Sequence, residues 1–181
     1  MYRIKKLYSL VFFMYLSITQ AIADDAFEKI MVSLQGQWQG ELYYLDYQTQ
    51  QRFSIPYVTK IRMTPDRKTL IRENTFTDPG KKVYTMEMTA MDVTDKIFEE
   101  AYFRDGKGEF FQYTLDSVDF VNDKDWQMRY SHKSTDDNRP AQIRFSVTRK
   151  NNTIESQKSI KFLDKKNQEY FVRNGYILNK K

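Results

Sequence analysis

Four glutamates, Glu73, Glu87, Glu99 and Glu100, sit inside runs otherwise rich in Tyr, Phe, Thr and Met, where carboxylates are costly unless they have a task. Two of them facing each other inside a fold could do acid–base work. Arg62, Arg72, Arg129 and Arg144 fall in comparable runs and equally suit surface charge ladders, each worth little. His132 is the one histidine; a lone imidazole could ligate haem or act as a base, but no second His or suitably spaced Cys or Glu accompanies it. It reads as a strand-end residue with no special role, and no metal site is legible. The chain has no cysteine, no nucleophile motif and no phosphate-binding glycine loop. This inventory favours binding over catalysis.

Tyrosine is abundant, 13 in all, and ten of them fall beyond residue 23. Those that point inward would give an apolar cavity with hydroxyl handles, the usual make-up of a small-molecule pocket. Met86 and Met88 share one strand face with Tyr84 and Ala90, and Trp126, Met128 and Tyr130 share one face of theirs. Methionine adapts to irregular shapes, so both rows suit a tolerant cavity. Phe111, Tyr113 and Leu115 form a third row. Met86, Met88, Phe111, Tyr113, Trp126, Met128 and Tyr130 are therefore candidate ligand contacts.

The elements that must position these residues are mostly strands. Phe27, Ile30, Met31 and Leu34 are spaced for one face of a short helix, with Asp25 and Glu28 placed as in a capping box. From Gly36 onward the period is two. Turn signals recur at Tyr47 to Gln51, Pro65 to Arg67, Asp78 to Gly80, Thr94-Asp95, Asp105 to Gly108, Asn122 to Lys124, Ser134 to Arg139, Asn151-Asn152 and Asp164 to Asn167. Those turns separate about ten strands, too closely spaced for crossover helices, so neighbours must be antiparallel. A meander of that size hides its edges by closing. The fold expected is all-β, a single antiparallel up-and-down barrel, closed or nearly so, with a short N-terminal helix.

Residues 1–23 read as a secretory signal peptide: Arg3, Lys5 and Lys6 precede an apolar run from Leu7 to Ile18, and Ala21-Ile-Ala23 suits cleavage. The run is too short for a spanning helix. Residues 24–181 then form one domain, with 26 basic against 24 acidic residues, so the bulk charge gives no reason to expect a nucleic-acid partner. Export without cysteine points to a bacterial periplasm or secretion. An outer-membrane barrel is disfavoured because charges fall on both strand phases, as at Lys60/Arg62, Arg72/Glu73 and Glu99/Glu100.

The helix, the Gly36-x-Trp38 that follows it, the meander and a late Arg173 resemble the lipocalin-like (calycin) barrels. The resemblance implies that Trp38 floors the closed end, with Gly36 and Gly40 beside it, and that Arg173 covers its indole. It also points Trp38, Leu42 and Tyr44 inward, which makes Tyr44 the foremost cavity candidate. The longer run Gly36-x-Trp38-x-Gly40 is similar to the nitrobindin-like, fatty-acid-binding-protein-related ten-stranded barrels, some of which hold haem through a histidine late in the chain. The last two strands here contain none, so no cofactor is expected and haem is disfavoured.

The function expected is that of an exported barrel binding or carrying a small, largely apolar ligand. The alternatives are an envelope interaction module with a filled barrel, and a barrel enzyme using buried Glu or Tyr.

Overall fold

The computed structural model of the protein describes residues 25–46, 49, 51–90, 95–164 and 169–181. The expected leader lies outside them, as do parts of the turns expected at 47–51, 94–95 and 164–167. A helix, α1, covers residues 25–33. Ten strands follow: β1 (Gly36–Leu45), β2 (Arg52–Met63), β3 (Thr69–Asp78), β4 (Lys81–Ala90), β5 (Ile97–Arg104), β6 (Lys107–Asn122), β7 (Asp125–Asp136), β8 (Arg139–Lys150), β9 (Thr153–Phe162) and β10 (Phe171–Lys180).

Each strand pairs antiparallel with the next, and β1 pairs with β10, so the meander closes into a barrel. Turn chemistry explains the short corners. Arg67, Asp105, Asp137, Asn138 and Asn151 take positive φ between consecutive strands, mostly the Asn and Asp types that tolerate it.

One end is plugged. Phe27, Ile30 and Met31 of α1 and Leu34 just after it are at most 3% exposed and pack with Trp38, Leu70, Phe98, Leu115, Trp126 and Met128. Burying each such side chain stabilises the fold by roughly 1.5–3 kcal/mol. The C-terminal carbonyls of α1 would be orphaned there, and side chains from the wall satisfy them. Trp38 Nε1 donates to Leu34 O at 2.7 Å, and Arg149 Nη1 donates to Ser33 O at 2.6 Å. Trp126 Nε1 donates to Ser33 Oγ at 3.0 Å. At the other end of α1, Asp25 pairs with Lys29 at 2.5 Å.

Arg173 does not cover Trp38. Trp38 lies opposite Lys180 across β1 and β10, and Arg173 precedes Lys180 by seven residues, or about 23 Å of strand. It belongs to the open end, where its Nε is 3.8 Å from Asp136. The cations over the Trp38 ring are Arg149 and Lys180, at 5.1 and 5.3 Å. Gly36, at φ +125°, adopts a conformation other residues resist, at the bend between α1 and β1. A Cβ on Gly40 would lie 1.9 Å from Ile177 O, so that glycine admits β10 rather than the helix.

Candidate functional site

Above the plug, the inward phase of the wall changes character. On β3, Leu70 belongs to the plug, but the next inward residues are Arg72, Asn74 and Phe76. On β4 the inward residues are Thr85, Glu87 and Thr89, and on β5 they are Phe98, Glu100 and Tyr102. Cross-strand register sets Arg72 opposite Glu87, Glu87 opposite Tyr102, and Thr89 opposite Glu100. A polar layer therefore crosses three adjacent strands.

That layer is hydrogen-bonded. Tyr57 Oη donates to Asn74 Oδ1 at 2.9 Å, and Asn74 Nδ2 donates to Thr85 Oγ1 at 3.0 Å and Glu87 Oε1 at 2.9 Å. Arg72 Nη1 lies 3.6 Å from Glu87 Oε2, an ion pair with both side chains mostly buried. Glu100 accepts from Thr89 Oγ1 at 3.2 Å and Tyr113 Oη at 3.4 Å. Arg72 Nε has no hydrogen-bond partner among the described residues. Unmet guanidinium donors in so dry a place are costly, by about 1–3 kcal/mol, unless something accepts from them.

Electrostatics follow from burial and from these neighbours. Desolvation and then the Glu87 charge push the Glu100 carboxyl up to about 7, against the pull of Arg72 and its two hydrogen bonds. Burial first, then Glu100 and Glu87, raises the Tyr113 phenol well above its ordinary value. Burial works against the charge on Arg72, but the Glu87 carboxylate beside it helps to hold the guanidinium cationic.

The layer floors a cavity of about 380 Å³ that opens at the far end of the barrel. Aromatic rings build its wall: Tyr113 lies 5.2 Å from Tyr130 and 6.1 Å from Phe111, and Tyr130 stacks on Phe145 at 4.9 Å. Lys158 reaches in from β9 and pairs at 3.3 Å with Asp136 of β7, the strand on the other side of β8.

Of the sequence candidates, Tyr44, Phe111, Tyr113 and Tyr130 line this cavity. Trp126 and Met128 point inward but lie in the plug, below the cavity. Met86 and Met88 are on the outward phase, because the inward phase of β4 is the polar one, Thr85, Glu87 and Thr89. Glu73 and Glu99 are outward and exposed, Glu73 beside Arg62 at 3.6 Å. The expectation of a largely apolar interior therefore needs correcting: Arg72, Glu87, Glu100 and Lys158 all line it. The signal was present as mid-strand charges in three successive strands.

The wall has a seam. The β6–β7 ladder runs from Thr114↔Ser131 toward Asn122↔Asp125, so residues 107–113 of β6 are laddered to β5 alone. A groove of about 580 Å³ fills the parting, between Phe110 and Gln112 on one side and Lys133 and Ser134 on the other. Phe111 lines both this groove and the cavity. His132 lines the groove, its ring 4.7 Å from Tyr113; burial and then Lys158 lower its pKa. The histidine itself is not among the residues that line the cavity, but its ring contacts Phe111, Tyr113 and Phe145, which are.

No protein-family model matches the chain, and no curated protein matches it. Among solved structures, the crystal structure of Rv2717c from M. tuberculosis is similar, with a TM-score of 0.57 and 11% identity, covering 82% of this chain and 93% of that one. At that identity the likeness shows the fold.

Proposed function

We propose that this chain is an exported, lipocalin-like binding barrel that holds one small amphipathic molecule, its apolar body among the aromatic rings and an acceptor or anionic group toward Arg72. The observation that carries this is the half-open cavity of about 380 Å³ whose floor is charged and whose walls are aromatic. Its volume falls within the range of small-molecule sites, and a few placed polar groups under an apolar wall are how such sites orient a ligand. Export to a periplasm rests on the leader-like residues 1–23. The lipocalin-like assignment rests on the helix-plugged meander with Trp38 at its closed end.

Native mass spectrometry of protein purified from its own host tests the reading. One molecule per chain, lost or weakened in Arg72→Met, is the expected result. Protein that carries nothing, and takes up no amphipathic probe into the barrel, would sink it.

A second reading, a barrel enzyme, is favoured by Glu87 and Glu100 converging inside one cavity, with Glu100 able to give or take a proton near neutral pH. Chemical conversion of the extracted molecule by wild type but not by Glu100→Gln would select it.

A further inference from the structure

Phe110 is 80% exposed, Tyr84 63%, Met86 39% and Phe103 37%, all on the outer wall. Single exposed apolar residues need no explanation, but these are contiguous. Met86 lies opposite Phe103 across β4 and β5, Met88 opposite Ala101, and Ala101 opposite Phe110. The Phe103 and Phe110 rings meet edge-on at 6.4 Å. Gly108 has no side chain to displace the Phe103 ring: a Cβ there would lie 3.0 Å from it. Beside the rings, Met88, Ala90, Ala101 and Phe110 line an outer groove of about 530 Å³.

The charges around this face are unevenly placed. Exposed Lys81, Lys82 and Lys107 stand at its open-end rim, on the β3–β4 and β5–β6 hairpins. Asp78 and exposed Glu109 are there too, and Asp105 pairs with Arg104 at 3.4 Å, so one positive charge is left in excess. Glu99 lines the outer groove itself, on its plugged-end side, and the Glu73–Arg62 pair lies farther toward that end. The rim is net basic and the rings stand next to it.

We infer that this outer face of β4, β5 and β6 docks the open end of the barrel onto an anionic lipid surface. Phe110, Phe103 and Tyr84 enter the headgroup boundary while Lys81, Lys82 and Lys107 meet acidic headgroups, the combination that holds peripheral proteins on such surfaces. A protein partner would be expected to bring carboxylates to fixed places; nothing in this fringe of flexible lysines demands fixed geometry. The docked face also adjoins the seam, since Phe110 lines both the outer groove and the groove between β6 and β7. A molecule leaving the lipid would meet the seam before it met water. The inference does not depend on what the cavity holds.

Vesicle flotation tests it, using full-length chain with phosphatidylglycerol/phosphatidylcholine vesicles and with pure phosphatidylcholine, at low and physiological salt. Wild type is expected to float with the anionic vesicles and to weaken with salt. Lys81→Glu and Lys82→Glu should each cost about fivefold or more in partitioning, and Phe103→Ser with Phe110→Ser about tenfold. Melting curves of the lysine variants and of Phe110→Ser alone should match wild type, because those side chains are exposed, and Phe110→Ser alone should still lose most of the flotation. Phe110→Trp keeps the face intact, and brominated lipid should quench its added fluorescence. The inference is overturned if wild type floats with neither vesicle, if the phenylalanine variants float as well as wild type, or if the new Trp is unquenched. Sedimentation showing a dimer that Phe110→Ser dissolves, without vesicle binding, would assign the face to a second copy and overturn it equally.

Discussion

The Arg149 guanidinium lies 5.1 Å from the centre of the Trp38 ring, although β8 is three strands around the barrel from β1. Arg149 is 3% exposed, and it also donates to Ser33 O at 2.6 Å and Asn151 O at 3.0 Å. One side chain thus joins the first strand, the end of α1 and the β8–β9 turn. A cation is favoured at that place because the C-terminal end of a helix carries partial negative charge.

Arg149→Met should therefore loosen the plug rather than the cavity. It removes charge-assisted hydrogen bonds and the cation–π contact, a loss of about 2–3 kcal/mol. Urea unfolding followed by Trp fluorescence reads this directly. Arg173→Met, at the other end, should leave the Trp38 signal and the midpoint nearly unchanged, and equal effects would refute the assignment.

The barrel was legible because its corners are written in Asp78-Pro-Gly, Asp105-Gly, Asn122-Asp and Asn151-Asn, and because a period of two persists between them. The phase of β4 was not. Apolar-in alternation assigns Met86 and Met88 to the lumen, but at that height the lumen is the hydrogen-bonded layer of Asn74, Thr85 and Glu87, so the pattern is inverted. Height along the barrel was equally hidden: Trp126 and Tyr130 share a phase, and only the tilt and register of real strands put one in the plug and the other in the cavity. Phase comes from local periodicity, whereas the partner of Trp38 is set by which strands converge at the plug, a property of the closed sheet.

Closure of the barrel depends on Gly40. With a Cβ 1.9 Å from Ile177 O, Gly40→Ala must push β1 from β10. The expected loss is on the order of 3 kcal/mol, as for an overpacked core. Gly80→Ala is the control: its Cβ would meet nothing within 4 Å, and only the φ of +89° opposes it, for about 1 kcal/mol. Thermal melting of the two variants should rank them in that order, and the reverse order would contradict the packing.

Glu100 makes stability depend on pH. Burial pushes its carboxyl up to about 7 in the fold from an ordinary 4.5, so the folded chain holds the proton more tightly than the unfolded chain. Stability from this group is then present below about 4.5 and is lost as pH rises through 7. Glu100→Gln keeps one acceptor oxygen, for Tyr113 or Thr89, and removes the charge. It should raise stability at pH 8 by on the order of 2 kcal/mol relative to its effect at pH 5. Melting temperatures at the two pH values give the comparison; a pH-independent difference would mean that Glu100 does not titrate in this window.

The same proton should govern what the cavity accepts. With Glu100 neutral, the charges of Arg72 and Glu87 balance; once Glu100 ionises, the layer carries a net negative charge and repels an anion. Two fluorescent probes of similar body separate this from apolar binding: the anion 8-anilinonaphthalene-1-sulfonate and neutral N-phenyl-1-naphthylamine. Titrated against Phe110→Ser protein to suppress surface uptake, the anionic probe should lose affinity between pH 6 and 8, by about tenfold for a charge contact worth 1.4 kcal/mol. The neutral probe should barely respond. Arg72→Met should weaken the anion more than the neutral probe at pH 6, because it deletes the cation and leaves Glu87 without its partner. Glu100→Gln should flatten the pH profile while leaving affinity at pH 6 near that of the Phe110→Ser parent. Equal responses of both probes would place them outside the charged floor and remove Arg72 from the site.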